Sequence, residues 1–310
     1  MTSVAVIAHS AKVLGGGLGR LRDVLTEQGV TDPIWLEVPK SSKMPARVRE
    51  AIKKGADLIF VWGGDGSVQR CIDAAVGSSV TLAILPAGTA NLLANNLGIP
   101  IDLEQAVEAG LHGNNHTIDV GKINGEHFAV MAGIGLDALM IRDADSEMKD
   151  RFGRVAYIWS GARHIRSTPI RTTVRIDGRT WFDDKATCVL VANVGSIGGG
   201  VTAFDHASPD DGKLDVAVMT ADGAWQWLRT LTRASIGHAE KSPLVQMTQA
   251  ATITVETRAR LPYELDGGAR PKTKKLRVRV VPRAVTIRVP SSASRRSEER
   301  RVGKECVSTV

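Results

Sequence analysis

The chain has 310 residues, 43% of them hydrophobic and 24% charged, with a formal net charge of +7. That length points to two domains rather than one, and the apolar content can support globular cores. No apolar run reaches the roughly 18 residues that a membrane span needs, and the widely spaced Cys71, Cys188 and Cys306 form neither a disulfide framework nor a zinc motif.

In chain order, Val4–Ala8 reads as a short strand. No basic segment precedes it, so a secretion signal is not expected and the cytoplasm is the default compartment. The run Leu14-Gly15-Gly16-Gly17-Leu18-Gly19 lacks the strand and helix spacing of a dinucleotide fingerprint and reads as a mobile loop. Strand and helix then alternate: Leu18–Glu27, Ile34–Val38, Pro45–Lys54, Leu58–Trp62, Val68–Ala75, Thr81–Leu85, Leu92–Leu97 and Leu103–Ala109. Such alternation predicts an α/β domain with a doubly wound parallel sheet over residues 1–122.

From about Ile118 strands dominate: Phe128–Ala132, Thr172–Ile176, Ala186–Ala192, Leu214–Met219, Thr252–Glu256 and Leu276–Val280. They predict a mainly antiparallel β-sandwich over residues 123–283, interrupted by helices near Met148–Ile165 and Ala224–Ile236. A last strand lies near residues 284–290. The Ser-, Arg- and Glu-rich stretch 291–310 is expected to be disordered, functionally silent and foreign to the natural protein.

The most informative segment follows Leu58-Ile59-Phe60, where the apolar strand breaks into Gly63-Gly64-Asp65-Gly66-Ser67. Glycines let a ligand approach the backbone, and N–H groups at a helix start suit a phosphate. The Asp65 carboxylate can hold Mg²⁺ or accept a hydroxyl proton. A tight turn without a ligand is the alternative. The next strand ends in a comparable turn, Pro86-Ala87-Gly88-Thr89-Ala90-Asn91, in which Thr89 and Asn91 either bond phosphate or ribose oxygens or cap the helix. Ligands in open α/β sheets bind outside the carboxyl ends of the strands, so both turns should face one crevice.

Together these turns, the continuation Leu92-Leu93-Ala94-Asn95-Asn96-Leu97-Gly98-Ile99-Pro100, and the segments Ala132–Ala138, Lys149–Tyr157, Ser208–Val216 and Glu264–Gly267 resemble the diacylglycerol kinase catalytic family. That family includes bacterial lipid kinases and the sphingosine and ceramide kinases. The resemblance implies an ATP- and Mg²⁺-dependent lipid kinase that phosphorylates a lipid alcohol, most simply diacylglycerol, giving phosphatidic acid. It also implies that the final strand returns to the first domain and that ATP and lipid meet in the interdomain cleft.

Carried over residue by residue, it places Gly63, Gly64, Gly66, Ser67, Gly88, Thr89 and Asn91 around the nucleotide. Asp65 stands beside the phosphates, as base or as an indirect Mg²⁺ ligand, unless it merely caps the following helix. Relatives usually carry Asn-Pro at the first turn; here it is His9-Ser10, and His9 either contacts the nucleotide or is structural. Many bacterial relatives read Asp-Gly-Glu with the glutamate proposed as general base, whereas this chain has Asp266-Gly267-Gly268. Either Asp266 or Asp65 takes over, the two acting together being the expectation; without the resemblance Asp266-Gly267 reads as a hairpin turn. Asp210 and Asp211 match a structural Mg²⁺ motif or simply form a turn, and Asp137 matches a position near the acceptor headgroup or is a buried, capped aspartate.

Partner signals are weaker. The alternating Leu276-Arg277-Val278-Arg279-Val280 reads as a strand with a charged, solvated face, guarding an edge or attracting anionic headgroups. The segment Ala224–Leu231, with two tryptophans and Arg229, either rests at a bilayer interface or packs on the sandwich. The helix 148–165 either lines an acyl-chain cleft or packs in the core. The expected partners are a lipid alcohol, an anionic membrane surface touched peripherally, and a second copy in a homodimer; nucleic acid is not among them. The competing readings are a sphingoid or other lipid kinase and a lipid- or nucleotide-binding regulator without catalysis. Phosphofructokinase and NAD kinase share the glycine turn, but their further motifs are absent.

Overall fold

The computed structural model describes residues 2–13, 16–135, 169–198, 201–221 and 243–291. They fall into two compact units, one of Met1–Thr117 with the chain from Val285 onward, the other of Ile118–Ala284.

The first unit alternates strand and helix: β1 (Val4–His9), α1 (Gly17–Glu27), β2 (Ile34–Val38), α2 (Met44–Lys53), β3 (Leu58–Gly63), α3 (Asp65–Ala75), β4 (Thr81–Pro86), α4 (Leu92–Asn96) and α5 (Leu103–His112). The strands pair in parallel in the order β2-β1-β3-β4. Every residue of β3 is buried, as expected for a parallel strand covered on both faces, which is why its sequence is an unbroken apolar run. Phe60, Trp62, Val6, Leu85, Leu25 and Val107 pack together in its core. The far side of β4 is completed by the end of the last strand, with Thr286 opposite Thr81 and Ile287 opposite Leu82, again in parallel.

The second unit is built of strands: β5 (Asn114–Ile123, which begins in the first unit), β6 (Glu126–Phe128), β7 (Met131–Ile134), β8 (Ile170–Ile176), β9 (Arg179–Ala186), β10 (Cys188–Ala192), β11 (Ser196–Gly198), β12 (Val201–Thr202), β13 (Leu214–Met219), β14 (Val245–Ala250), β15 (Thr252–Leu265) and β16 (Gly268–Val289). Pairing is mostly antiparallel, in the order β14-β13-β10-β7-β15-β16. The first half of β15 pairs with β8 and its last residues pair with β7, with irregular register between Glu256 and Tyr263. This bend gathers Val174 and Phe182 from β8 and β9 into one core with Val189, Val191, Val216 and Val218.

The details differ from the sequence expectation in three instructive ways. The strand expected over 128–132 is split, because the N–H groups of Ala129, Val130 and Met131 bond to the Asp266 carboxylate. Helix α3 starts at Asp65, three residues before Val68, with Gly64 extended as its N-cap. Strands β9 and β14 were not anticipated, since Arg179–Ala186 and Val245–Ala250 are polar and few of their residues are buried. The expected helices 148–165 and 224–236 and the stretch 292–310 lie outside the described residues.

Candidate functional site

Strands β1, β3 and β4 all end at the same edge of the parallel sheet. Ala8 pairs with Trp62 and Gly63 with Pro86, so His9, the Gly63–Ser67 turn and the Ala87–Asn91 turn follow in register. The amide of Ala87 donates to the Gly63 carbonyl at 3.0 Å, stitching the two turns side by side.

The glycines there serve different ends. A Cβ on Gly63 would stand 2.4 Å from Ser67 Cβ, so glycine is needed for the tight passage from strand into helix. A Cβ on Gly88 would stand 2.5 Å from the Cα of Gly64, backbone against backbone, so this pair lets the two turns touch. Gly66 is different: it is exposed, and nothing lies within 4 Å of the place its Cβ would take. Packing therefore does not demand glycine at 66, whereas a ligand lying on that backbone would.

Asp65 reaches across to the second turn, where its Oδ1 accepts the Leu92 N–H at 2.6 Å. Burial pushes its carboxyl above the ordinary carboxylate range, and backbone N–H groups led by those of Leu92 and Leu93 partly oppose the shift. Asp65 thus caps the start of α4 and not the helix that it begins. Asn91 sits in the left-handed region at φ 46, accepts from Gly88 N–H at 2.9 Å and donates to the Gly88 carbonyl at 2.8 Å. Its side chain is spent on shaping the loop. Thr89 is exposed and Ser67 buried. His9 buries its Nδ1 without a hydrogen-bond partner.

The other candidates belong to the second unit. Asp266 is 3% exposed, occupies the left-handed first position of the β15–β16 turn, and accepts three backbone N–H bonds of 2.9 Å from Ala129, Val130 and Met131. Its carboxylate works as a clasp between the turn and the β6–β7 connection. Asp210 and Asp211 are exposed; Asp210 accepts from the Ser208 hydroxyl and Asp211 from the Lys213 N–H. Among the described residues no group of three or more His, Cys, Asp or Glu side chains is placed to hold a metal, so this pair does not amount to a metal cage. Asp137 lies outside the described residues.

Two acidic residues escaped the sequence reading. Asp119, in the middle of β5, accepts from Gly212 N–H and Arg283 N–H at 2.7 Å each, while its own N–H donates to the Pro209 carbonyl. It is what ties the Ser208–Gly212 loop down. The signal was present, since a carboxylate between Ile118 and Val120 in an apolar strand requires a buried partner. Glu264 is 2% exposed, and neither carboxyl oxygen has a hydrogen-bond partner. Burial first, and then the Asp266 charge, push its carboxyl up to about 7.

Residues 14–123 match the family model of the diacylglycerol kinase catalytic domain, and residues 130–289 match that of the YegS C-terminal NAD kinase beta sandwich-like domain. A diacylglycerol kinase of Mycobacterium tuberculosis is 30% identical over 213 residues, covering 66% of this chain and 69% of that one. A diacylglycerol kinase of Bacillus subtilis is 29% identical over 223 residues, covering 71% and 73%. The crystal structure of a diacylglycerol kinase from Bacillus anthracis superposes with a TM-score of 0.74 at 24% identity, over 94% of this chain and 98% of that one, and shares its fold. A glycine turn carrying Asp65, on an α/β unit followed by a mainly antiparallel β unit, therefore has a shown family, and the chain belongs to the diacylglycerol kinase catalytic-domain family of lipid kinases.

Proposed function

We propose that the chain transfers the γ-phosphoryl group of ATP to the hydroxyl of a lipid alcohol, with diacylglycerol as acceptor and phosphatidic acid as product. The observation that carries this reading is Gly66, an exposed helix-start glycine that no neighbouring atom requires, beside a half-buried carboxylate. Phosphoryl transfer needs positioning and charge stabilisation more than covalent help. In this reading the main chain from Gly64 to Ser67 and the exposed Thr89 hold the triphosphate, His9 contributes its unpartnered Nδ1, and Gly63, Gly88 and Asn91 shape the turns. Asp65 lies beside the phosphates, as base or as an indirect partner of the metal. Mg²⁺ enters with ATP as part of the substrate and offsets phosphate charge; Asp210 and Asp211 would add two surface carboxylates and no cage. Asp266 acts as a positioning residue. The exposed cations Lys272, Lys274, Arg277, Arg279 and Arg283 along β16 support peripheral contact with an anionic membrane at the cytoplasmic face. Among the described residues no helix is long and apolar enough to cross a membrane.

One observation favours a second reading, a lipid- or nucleotide-binding regulator: the Asp266 carboxylate is consumed by backbone N–H groups. Radiolabelled ATP with a panel of lipid alcohols separates the two. Mg²⁺-dependent labelling of diacylglycerol, abolished by chelator and by Asp65→Asn, is the expected result. ATP binding without transfer to any lipid would leave the regulator.

A further inference from the structure

Within the second unit, β15 and β16 pair in one register up to Glu256 opposite Lys275 and resume at Leu261 opposite Thr273. Between those pairs the β15 residues Thr257–Arg260 stand against Lys274 alone, which makes a wide bulge. Thr257 closes it: its Oγ1 donates to the Ala259 carbonyl at 2.8 Å, with the Lys274 carbonyl at 3.4 Å. On its other side β15 leaves β8 after Thr257 and meets β7 only at Tyr263. Arg258, Ala259 and Arg260 therefore have no described strand beside them there, and all three are exposed.

The bulge gathers positive charge. Lys274 stands opposite it and Lys272 just beyond the Leu261–Thr273 pair, both exposed like Arg258 and Arg260. Among the described residues none of these four side chains has an ion-pair partner. The carboxylates nearest along the two strands are engaged or covered. Glu256, just before the bulge, is paired with Arg175 at 3.1 Å and Lys275 at 2.5 Å, and Glu264 beyond it is 2% exposed. Four like charges held on one short irregularity repel one another, and a ligand with concentrated negative charge offsets that repulsion. The exposed residues around the bulge include no aromatic side chain on which a base could stack, which disfavours single-stranded nucleic acid.

We propose that the β15–β16 bulge docks the protein on a bilayer that displays phosphomonoester headgroups, with Arg258, Arg260, Lys272 and Lys274 binding the phosphate. The proposal rests on the lipid kinase reading above, which makes a phosphomonoester lipid the product, and it is narrower than a peripheral contact spread along β16. A phosphomonoester carries close to two negative charges near neutral pH, on one small group. A diester headgroup such as phosphatidylglycerol carries one. Guanidinium forks match phosphate oxygens two at a time, and the lysines add point charges around them. A concentrated patch of cations therefore favours the monoester over a diffuse sheet of single charges. Docked this way, the protein dwells where its own product accumulates.

The test is vesicle sedimentation without nucleotide, so it needs no turnover. Three vesicle types are compared: phosphatidylcholine alone, and phosphatidylcholine with phosphatidylglycerol or with phosphatidic acid, the last two matched in surface charge. Phosphatidic acid vesicles should bind the protein most tightly, and binding should vanish at about 1 M salt, where the screening length is about 3 Å. Arg258→Gln with Arg260→Gln should lower partition onto phosphatidic acid by about 25-fold, at roughly fivefold per neutralised residue, and Lys272→Gln with Lys274→Gln should act alike. All four side chains are exposed, so unchanged urea midpoints are expected. Arg179→Gln with Lys185→Gln neutralises two exposed cations of β9 and should keep the preference for phosphatidic acid. Equal binding to the two anionic vesicles overturns the proposal, as does an equal loss from the β9 variant. Bulge variants that bind as the wild type does but self-associate also overturn it, since the charges then only guard an open strand. Preferential binding to phosphatidic acid by a protein that phosphorylates no lipid upholds the docking surface and counts against the kinase reading instead.

Discussion

Replacing Gly66 by alanine separates a phosphate cradle from an ordinary turn, because structure and ligand make opposite demands there. Gly66 stands in the first turn of α3, is exposed, and has open space where a methyl would go. Alanine lowers the backbone entropy lost on folding, so by itself Gly66→Ala should stabilise the protein by about 0.5–1 kcal/mol. If a triphosphate lies against this backbone, the methyl holds it off. Losing one charge-assisted hydrogen bond costs about 1.5–3 kcal/mol, which is roughly a 10- to 150-fold weaker Kd. The expected signature is a urea midpoint that rises while calorimetric ATP affinity falls. Gly88→Ala supplies the contrast: its Cβ would meet the Gly64 Cα at 2.5 Å, so stability should fall by about 1–3 kcal/mol and ATP binding with it. A Gly66→Ala protein that is more stable and binds ATP within about twofold of the wild type would refute the cradle.

Three further outcomes follow from the geometry. Asp65→Asn keeps an oxygen for the Leu92 N–H, so stability should hold nearly constant while kcat drops by about 100-fold or more, read from paired denaturation and turnover measurements. Asp266→Ala leaves three buried N–H groups without their acceptor and should cost about 3–5 kcal/mol; Asp266→Asn, which tolerates the left-handed backbone, should cost less, and equal losses would argue against the clasp. Glu264 holds its proton more tightly when folded than when unfolded, so stability is retained below its unfolded value of 4.5 and lost as pH rises to about 7. Relative to the wild type, Glu264→Gln should therefore gain about 3 kcal/mol across that window, and urea curves differing by the same amount at low and high pH would contradict it.

How much of this was legible in the sequence depends on whether local pattern or distant partners decide. The parallel strands were, because burial on both faces writes an apolar run into Leu58–Trp62 and Thr81–Leu85 that no solvated element would carry. The start of α3 was read late, since Asp65-Gly66-Ser67 looks like a turn until Gly64 is seen to supply the cap. Strands β9 and β14 left no mark: most of their side chains are polar, and pairing with β8 and β13 defines them. Within the site the glycine turns were visible, yet the division between packing glycines and an unneeded one was not, because it depends on atoms brought in from β4. Glu264 was hidden by its own context. A glutamate between Tyr263 and Leu265 reads as the solvent-facing member of an alternating strand, and only the second covered face shows otherwise.

The last strand carries a consequence for how the molecule is made. The sheet of the first unit gains its fifth member only from residues 285–289, so a ribosome that has finished Met1–Thr117 has delivered four strands with β4 as a bare margin. Leu82-Ala83-Ile84-Leu85 then offers unpaired amides and greasy side chains for as long as some 170 further residues take to emerge, about ten to thirty seconds at ordinary elongation rates. Nascent chains stalled before Val285 should therefore recruit holdase chaperones, and completion of the C-terminal strand should release them.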